Sequence, residues 1–217
     1  LGSYANETVG VSIDSIASAD LGSHTVDSLS HLMDGTDASA AETRSATGLV
    51  ITGPTNAASI SFDAESSAKT VAAAVNAQSA TTGVSAAAKT NLVLDTLSHA
   101  GTLSFNLKGT GTAAISTSVA AKTDLTSIRD AVNAVAGTTG ITASMYQGDK
   151  GQLMFTSATG EDIKIDTFAS SGNASSTIKA YVTDFDGTKA ATTDTLTTGA
   201  DDSVIVAGEV RFSSVGS

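Results

Sequence analysis

Apolar residues recur at two spacings along this chain, and the spacing changes wherever a short glycine-bearing turn falls. In residues 8–16, TVGVSIDSI, the side chains Val9, Val11 and Ile13 stand at a period of two, which predicts a strand with one buried face at an edge or stem. Residues 20–47 lose that alternation to Gly22, Gly35 and many small polar residues. With only Leu29, Leu32 and Met33 at helical spacing, this stretch is expected to be mostly loop with at most one short helix. From Gly48 the alternation returns. LVITG and ASISFDA predict two strands around Gly53-Pro54, where proline fixes its own φ and glycine tolerates unusual ones.

Residues 66–80 then change period. Ser66 or Ser67 can cap a helix whose Val71 and Val75 share one stripe, and Thr81-Thr82-Gly83 closes it near Ala80 with a glycine able to turn left-handed. Val84 opens a strand, and NLVLDTL, AGTLSFNLKG and GTAAISTSV read as three further short strands between glycine turns. The order then repeats. Thr123 or Asp124 caps a second helix with a cleaner stripe of Leu125, Ile128, Val132 and Val135, Thr138-Thr139-Gly140 ends it, and Ile141 opens the next strand. GQLMFTSATGEDIKIDTF is expected to form a hairpin turning at Gly160-Glu161. From Gly172 the chain is polar and Thr-rich, until Val204, Val206, Val210 and Phe212 again suggest strand and allow the first and last segments to pair.

The repetition extends to residue identity. Residues 74–86, AVNAQSATTGVSA, and 131–143, AVNAVAGTTGITA, lie 57 positions apart and agree at eight of thirteen. Self-similarity at this period marks a duplicated supersecondary unit in which a helix is buried against its own sheet. The expected fold is therefore α+β and mostly β and loop. Short antiparallel sheets each pack on one helix, as modules over 48–100 and 101–171, and stem strands from 1–47 and 172–217 make an inner domain.

Composition points to building rather than chemistry. Of 217 residues 41% are hydrophobic, yet only nine are aromatic and none is Trp, which gives thin close-packed layers rather than roomy pockets. A net charge of −11 with 11 Lys and Arg argues against nucleic acid, whose affinity rests on cations neutralising phosphates. No apolar run approaches the roughly 20 residues of a membrane-spanning helix, and no basic start followed by an apolar stretch marks a signal peptide. Cysteine is absent, so disulfides and thiolate chemistry are excluded. The chain begins at Leu1, as expected of a fragment.

His24, His31 and His99 have no metal-binding spacing and read as surface histidines. Asp184, Asp186 and Gly187 resemble the start of a calcium loop, but Thr195 stands where the closing Glu belongs, so a turn with solvated carboxylates is the better reading. Lys108-Gly109-Thr110-Gly111 lacks the order of a phosphate loop and reads as a turn, and no serine lies in a nucleophile elbow. Asn6-Glu7-Thr8 and Asn173-Ala174-Ser175 match the N-glycosylation triplet, which arises by chance in a chain this rich in Ser and Thr. No catalytic, cofactor-binding or metal-binding residue is expected, and no cofactor.

The two AVNA…TTG stretches carry a family resemblance. Ala74-Val75-Asn76 with Thr82-Gly83-Val84-Ser85-Ala86, and Ala131-Val132-Asn133 with Thr139-Gly140-Ile141-Thr142-Ala143, resemble the repeated module in the central regions of bacterial flagellins and of the filament cap protein. The opening, LGSYANETVGVSIDSIASADLG, is similar to the flagellin stretch that leaves the helical part of the subunit, through Gly2, Ala5, Asn6, Glu7, Thr8, Ile13 and Leu21-Gly22. It departs at Ser3-Tyr4, where the family more often has Ala-Asn directly after the glycine. The closing GEVRFSS resembles the returning strand.

The resemblance implies the exposed middle of a flagellin with its polymerising terminal helices removed. It also implies an extracellular, secreted place on the bacterial flagellum, and chain ends lying close together. Other flagellin subunits would be its partners in the full-length protein, while the fragment alone would be monomeric. Sugars would go on exposed Ser or Thr, with the loop Ser170 to Ser176 a candidate, and neither membrane nor nucleic acid is implied. The alternatives are a binding module built from the same unit, such as a filament cap protein, adhesin or phage-tail domain, and an enzyme hosted in the variable region, such as a metallopeptidase. The opening strand favours flagellin over cap, and the lack of an HExxH motif or acid–base pair disfavours the enzyme.

Overall fold

A computed structural model describes residues 23–28, 33–34 and 47–215. The expected strand over 8–16, His31, the triplet at Asn6, and the flagellin-like positions from Gly2 to Gly22 lie outside the described residues.

In chain order the strands and helices are β1 (Ser23–Asp27), β2 (Met33–Asp34), β3 (Thr47–Thr52), β4 (Ala57–Phe62), α1 (Ala68–Ala77), α2 (Ser79–Thr82), β5 (Val84–Asp95), β6 (Gly101–Lys108), β7 (Thr112–Val119), α3 (Thr126–Ala134), α4 (Ala136–Thr139), β8 (Thr142–Tyr146), β9 (Asp149–Ser157), β10 (Ile163–Ser170), β11 (Thr177–Thr183), β12 (Lys189–Thr197), β13 (Val204–Val206) and β14 (Glu209–Val215). The fold is the mostly-β α+β class that the patterns predict.

Strand pairs among the described residues are antiparallel and fall into three sheets. One runs β1-β14-β5-β11-β12, with β9 also on β5 and β8 on β9. A second runs β2-β13-β10-β6-β7, and β3-β4 stands as a two-stranded hairpin. The main core lies between the first two sheets. β6 shows how the sequence builds it: Leu103, Phe105 and Leu107 are buried at every second position while Ser104 and Asn106 are only partly so. In β5 the run from Thr90 to Leu94 is buried without alternation, because that half of the strand is covered on both faces.

Three expectations are corrected. Residues 23–27 form strand β1, paired to β14 from Ser23↔Val215 to Asp27↔Arg211, and Met33 belongs to β2 rather than to a helix. Cross-strand partners 171 residues or more apart decide this, and local spacing cannot reveal them. Val84 and NLVLDTL belong to one twelve-residue strand, β5, that joins β14 at one end to β9 and β11 at the other. The chain does turn at Gly160, but β9 and β10 belong to different sheets and form no hairpin. Gly160 has φ +79 and sits where a Cβ would overlap the Ala88 methyl, so the turn is pressed against β5 and carries the chain from one sheet to the other. The helices close as expected at Gly83 (φ +72) and Gly140 (φ +71), the first running to Thr82, and each is broken once, at Gln78 and at Val135.

Candidate functional site

The duplicated phrase forms the same corner twice. Asn76 donates from Nδ2 to the Ala86 carbonyl at 2.8 Å and accepts the Ala86 N–H on Oδ1 at 2.8 Å, so its amide pairs with β5 as another backbone strand would. Asn133 makes the same two bonds to Ala143, at 2.9 and 2.8 Å. The Thr82 hydroxyl donates to the Gln78 carbonyl and accepts from Val84 N–H, and Thr139 does so with Val135 and Ile141. Both threonines are fully buried, and through these bonds each hydroxyl is satisfied while it ties the first residues of the next strand to the helix end. Gly53 and Gly109, at the hairpin tips, lie where a Cβ would strike the carbonyl oxygens of Thr82 and Thr139.

The module thus uses its repeated asparagine and its buried threonine to fix a helix end against a strand. Asn133→Ala leaves one N–H and one C=O of Ala143 without their partner. It is expected to cost about 1–2 kcal/mol in denaturant unfolding, with Asn133→Asp recovering only the half that accepts from N–H.

Of the expected caps, Ser67 accepts from Thr70 N–H at 3.4 Å. Neither Thr123 nor Asp124 holds the cap position of α3, which falls on Leu125; Asp124, one residue before it, accepts from Thr126 N–H at 3.0 Å, and hydrogen bonding from the Thr126 side chain and backbone holds its carboxyl below the usual range.

The calcium-like TDFDGT stretch is the turn between β11 and β12. Asp184 Oδ1 accepts from Thr188 N–H at 2.7 Å, and Gly187 takes φ +92. Asp186 is held by Arg211, at 2.9 Å from Nη1 and 2.8 Å from Nη2. The same guanidinium grips Asp27 of β1 at 2.6 and 2.7 Å and lies 4.3 Å over the Phe185 ring. Bidentate bonds from Arg211 hold both carboxyls below their ordinary range, and the two carboxylates hold the guanidinium charged.

Below this clamp lies Glu209, only 4% exposed. Burial pushes its carboxyl up to about 7; the Phe185 backbone opposes the rise by hydrogen bonding, while Asp184 and Asp27 add to it. The clamp joins residues 27, 186 and 211, and its parts are too far apart in sequence for spacing to suggest it.

A second clamp sets Lys189 between the Tyr146 and Tyr181 rings, at 4.9 and 4.8 Å. Its ammonium reaches Asp95 at 3.0 Å and Gln152 at 2.5 Å. Both clamps tie strands together.

His99 is exposed and its ring nitrogen lies 2.9 Å from the Ser98 hydroxyl, while His24 stands in β1 opposite Ser214. Lys108-Gly109-Thr110-Gly111 is the turn between β6 and β7, closed by Gly109 N–H to the Gly111 carbonyl. In the loop at 170–176, Ser171, Asn173 and Ser175 are exposed, whereas Ser170 and Ser176 are buried. Among the described residues no group of three or more His, Asp or Glu converges as metal ligands, and no helix is long and apolar enough to cross a membrane.

Comparison with known families and structures follows the duplication. The profile of the flagellin hook IN motif matches residues 48–98 and again 102–159, together half of the chain. The first match spans β3 to β5 and the second β6 to β9. Among solved structures, the D2–D3 domains of the flagellar cap protein FliD from Escherichia coli align at 10% identity. That alignment covers 89% of this chain and 99% of that one with a TM-score of 0.27. No curated protein matches.

Proposed function

The chain belongs to the flagellin hook IN motif family of flagellar proteins, and from that premise we propose that it is the surface-exposed region of a bacterial flagellin. The observation that carries the reading is that both family matches fall on the two structural copies of the corner, so the bulk of the molecule is this module used twice. The strand pair β1-β14 supports it further. Ser23 and Val215 are cross-strand partners, so the chain enters and leaves the described body at one place, as a domain mounted on a filament core would.

In this reading the protein is a secreted structural subunit. Its partners are other flagellin subunits, its outward face sets the filament's texture and recognition, and Ser171 and Ser175 are open to surface glycans. No residue is assigned a chemical step.

The test uses the neighbouring ends. Paired residues of antiparallel strands lie about 5 Å apart, so excising residues 23–215 and joining 22 to 216 leaves the rest of the subunit unstrained. Cells carrying this excision are expected to assemble filaments that are thinner in electron micrographs. Complete loss of filaments would contradict a role confined to the surface.

A further inference from the structure

The turn between β11 and β12 is held chiefly by residues outside its own hairpin. In β5, Leu92 and Leu94 belong to the main core, so the alternate residues Lys89, Asn91 and Val93 face the other side of the sheet. Glu209 is the cross-strand partner of Lys89 and shares that face with Arg211, two residues further along β14. Residues 184–188 lie across it. The Asp184 carbonyl accepts from Asn91 Nδ2 at 3.3 Å and the Phe185 carbonyl from Lys89 Nζ at 3.3 Å, while the Phe185 ring lies 5.9 Å from that ammonium and 4.3 Å from the Arg211 guanidinium. A Cβ on Gly187 would touch the sulfur of Met154, the partner of Val93.

The turn is built to move as one piece. Asp184 N–H donates to the Thr188 carbonyl and Gly187 N–H to the Asp184 carbonyl, both at 2.9 Å, and Thr188 N–H donates to Asp184 Oδ1, so the loop is closed on itself. Its base is narrow. The ladder between β11 and β12 shifts register between Tyr181 and Thr183, which leaves the single pair Thr183↔Lys189 next to the turn. Lys189 stays fixed there by Asp95, Gln152 and its two tyrosines.

Glu209 sits beneath this loop, 4% exposed, with its carboxyl bonded by the Phe185 N–H. The charged groups that face it are Lys89 of β5, Arg211 of its own strand, Asp27 of β1, and Asp184 and Asp186 of the loop. Carboxylates already outnumber cations there, so a further negative charge is accommodated only by letting water in. We propose that residues 184–188 form a strap that stays shut over Glu209 while its carboxyl is protonated and lifts when the carboxyl ionises.

The direction follows from linkage. Under the shut strap the carboxyl keeps its proton up to about pH 7, because burial outweighs the Phe185 N–H; under a lifted strap it is hydrated and returns toward the ordinary 4.5. The lifted state therefore gains about tenfold for each pH unit between those values and holds the gain above them. Lifting breaks the bonds from Arg211 to Asp186 and uncovers Asn91 beside Val93, while Arg211 keeps Asp27 of β1. The outer face of the sheet thus differs between acid and neutral surroundings without a change in the core.

Pulse-labelling hydrogen exchange of the whole chain, read at the Phe185 amide by nuclear magnetic resonance, tests this. Comparison with Glu209→Gln at each pH cancels the intrinsic pH dependence of exchange. The two proteins are expected to agree within twofold at pH 4, and the parent to exchange at least tenfold faster at pH 8, while the β5 amides of 92–95 stay protected in both. Equal rates at pH 8 overturn the proposal. Acceleration of 92–95 in step with Phe185 also overturns it, because the opening is then unfolding of the whole molecule. A second variant tests the tether apart from the trigger: Asp186→Asn is expected to speed Phe185 exchange at least threefold at pH 4 and to leave 92–95 unchanged. Unaltered exchange at Phe185 in that variant overturns the assignment of the strap.

Discussion

Ile128→Ala is expected to destabilise the protein by about 3–4 kcal/mol, and the matched Val71→Ala by about 1, in urea unfolding followed by far-ultraviolet circular dichroism. The two positions are 57 residues apart on equivalent faces of α3 and α1, but their surroundings differ. Ile128 is fully buried in the main core with Leu125 and Val132, where removing three carbons leaves a cavity that packed neighbours cannot fill. Val71 is only partly buried against the small cluster of Ala68, Ala72 and Val210, and borders an existing cavity of about 280 Å³. The first module builds its helix face from Ala68 and Val71 where the second has Leu125 and Ile128. Equal costs would mean that the two helix faces are equally packed, and would contradict this account.

Glu209→Gln is expected to stabilise the protein by about 2–3 kcal/mol at pH 8 and by almost nothing at pH 4. Glu209 carries a pKa near 7 when folded, above the ordinary 4.5, because burial disfavours its charge. Between those values the folded state holds a proton that the unfolded state has released, so this residue makes stability fall as pH rises from about 4.5 to 7 and stay low above it. Glutamine cannot ionise and removes that decline.

The groups facing Glu209 support the assignment. Asp184 and Asp27 disfavour a further negative charge, Arg211 is occupied by Asp27 and Asp186, and Lys89 across the strand donates to the Phe185 carbonyl at 3.3 Å. Asp27 and Asp186 act in the opposite sense. Their lowered pKa values contribute stability that is lost only as pH falls below the ordinary value of 3.8. Stability that does not decline between pH 5 and 7 in the parent protein, or declines equally in Glu209→Gln, would contradict this account.

The helices, their glycine stops, the hairpin at Gly53 and the alternating strands from Leu103 to Val119 were legible because each depends on residues within a turn or two of one another. The role of the repeated asparagine was half legible. It stands at a helix end, where local chemistry points to a bond with the adjoining turn, whereas its partner is the strand ten residues on, which a capping pattern does not specify. Strand β1 was hidden because SHTVD has one apolar residue flanked by polar ones, and pairing with β14 rather than burial makes it a strand. The separation of β9 from β10 was hidden as well. TSATGEDI reads as a tight turn either way, and only the packing of Gly160 on Ala88 sends the chain to the other sheet. The clamp of Asp27, Asp186 and Arg211 could not be read from spacing, since its charges meet across 25 and 184 residues.

The calcium-like stretch was readable as a turn because it lacks the closing glutamate. The structure adds that Asp186 is engaged by Arg211 instead.

The central claim is that two copies of one flagellar module form the outer surface of a filament subunit. The most direct test is immunogold electron microscopy of intact cells with an antibody raised against residues 48–159, the two matched copies. Gold along the whole length of the filament is the predicted result. Gold confined to the distal tip would contradict it and place the protein at the cap.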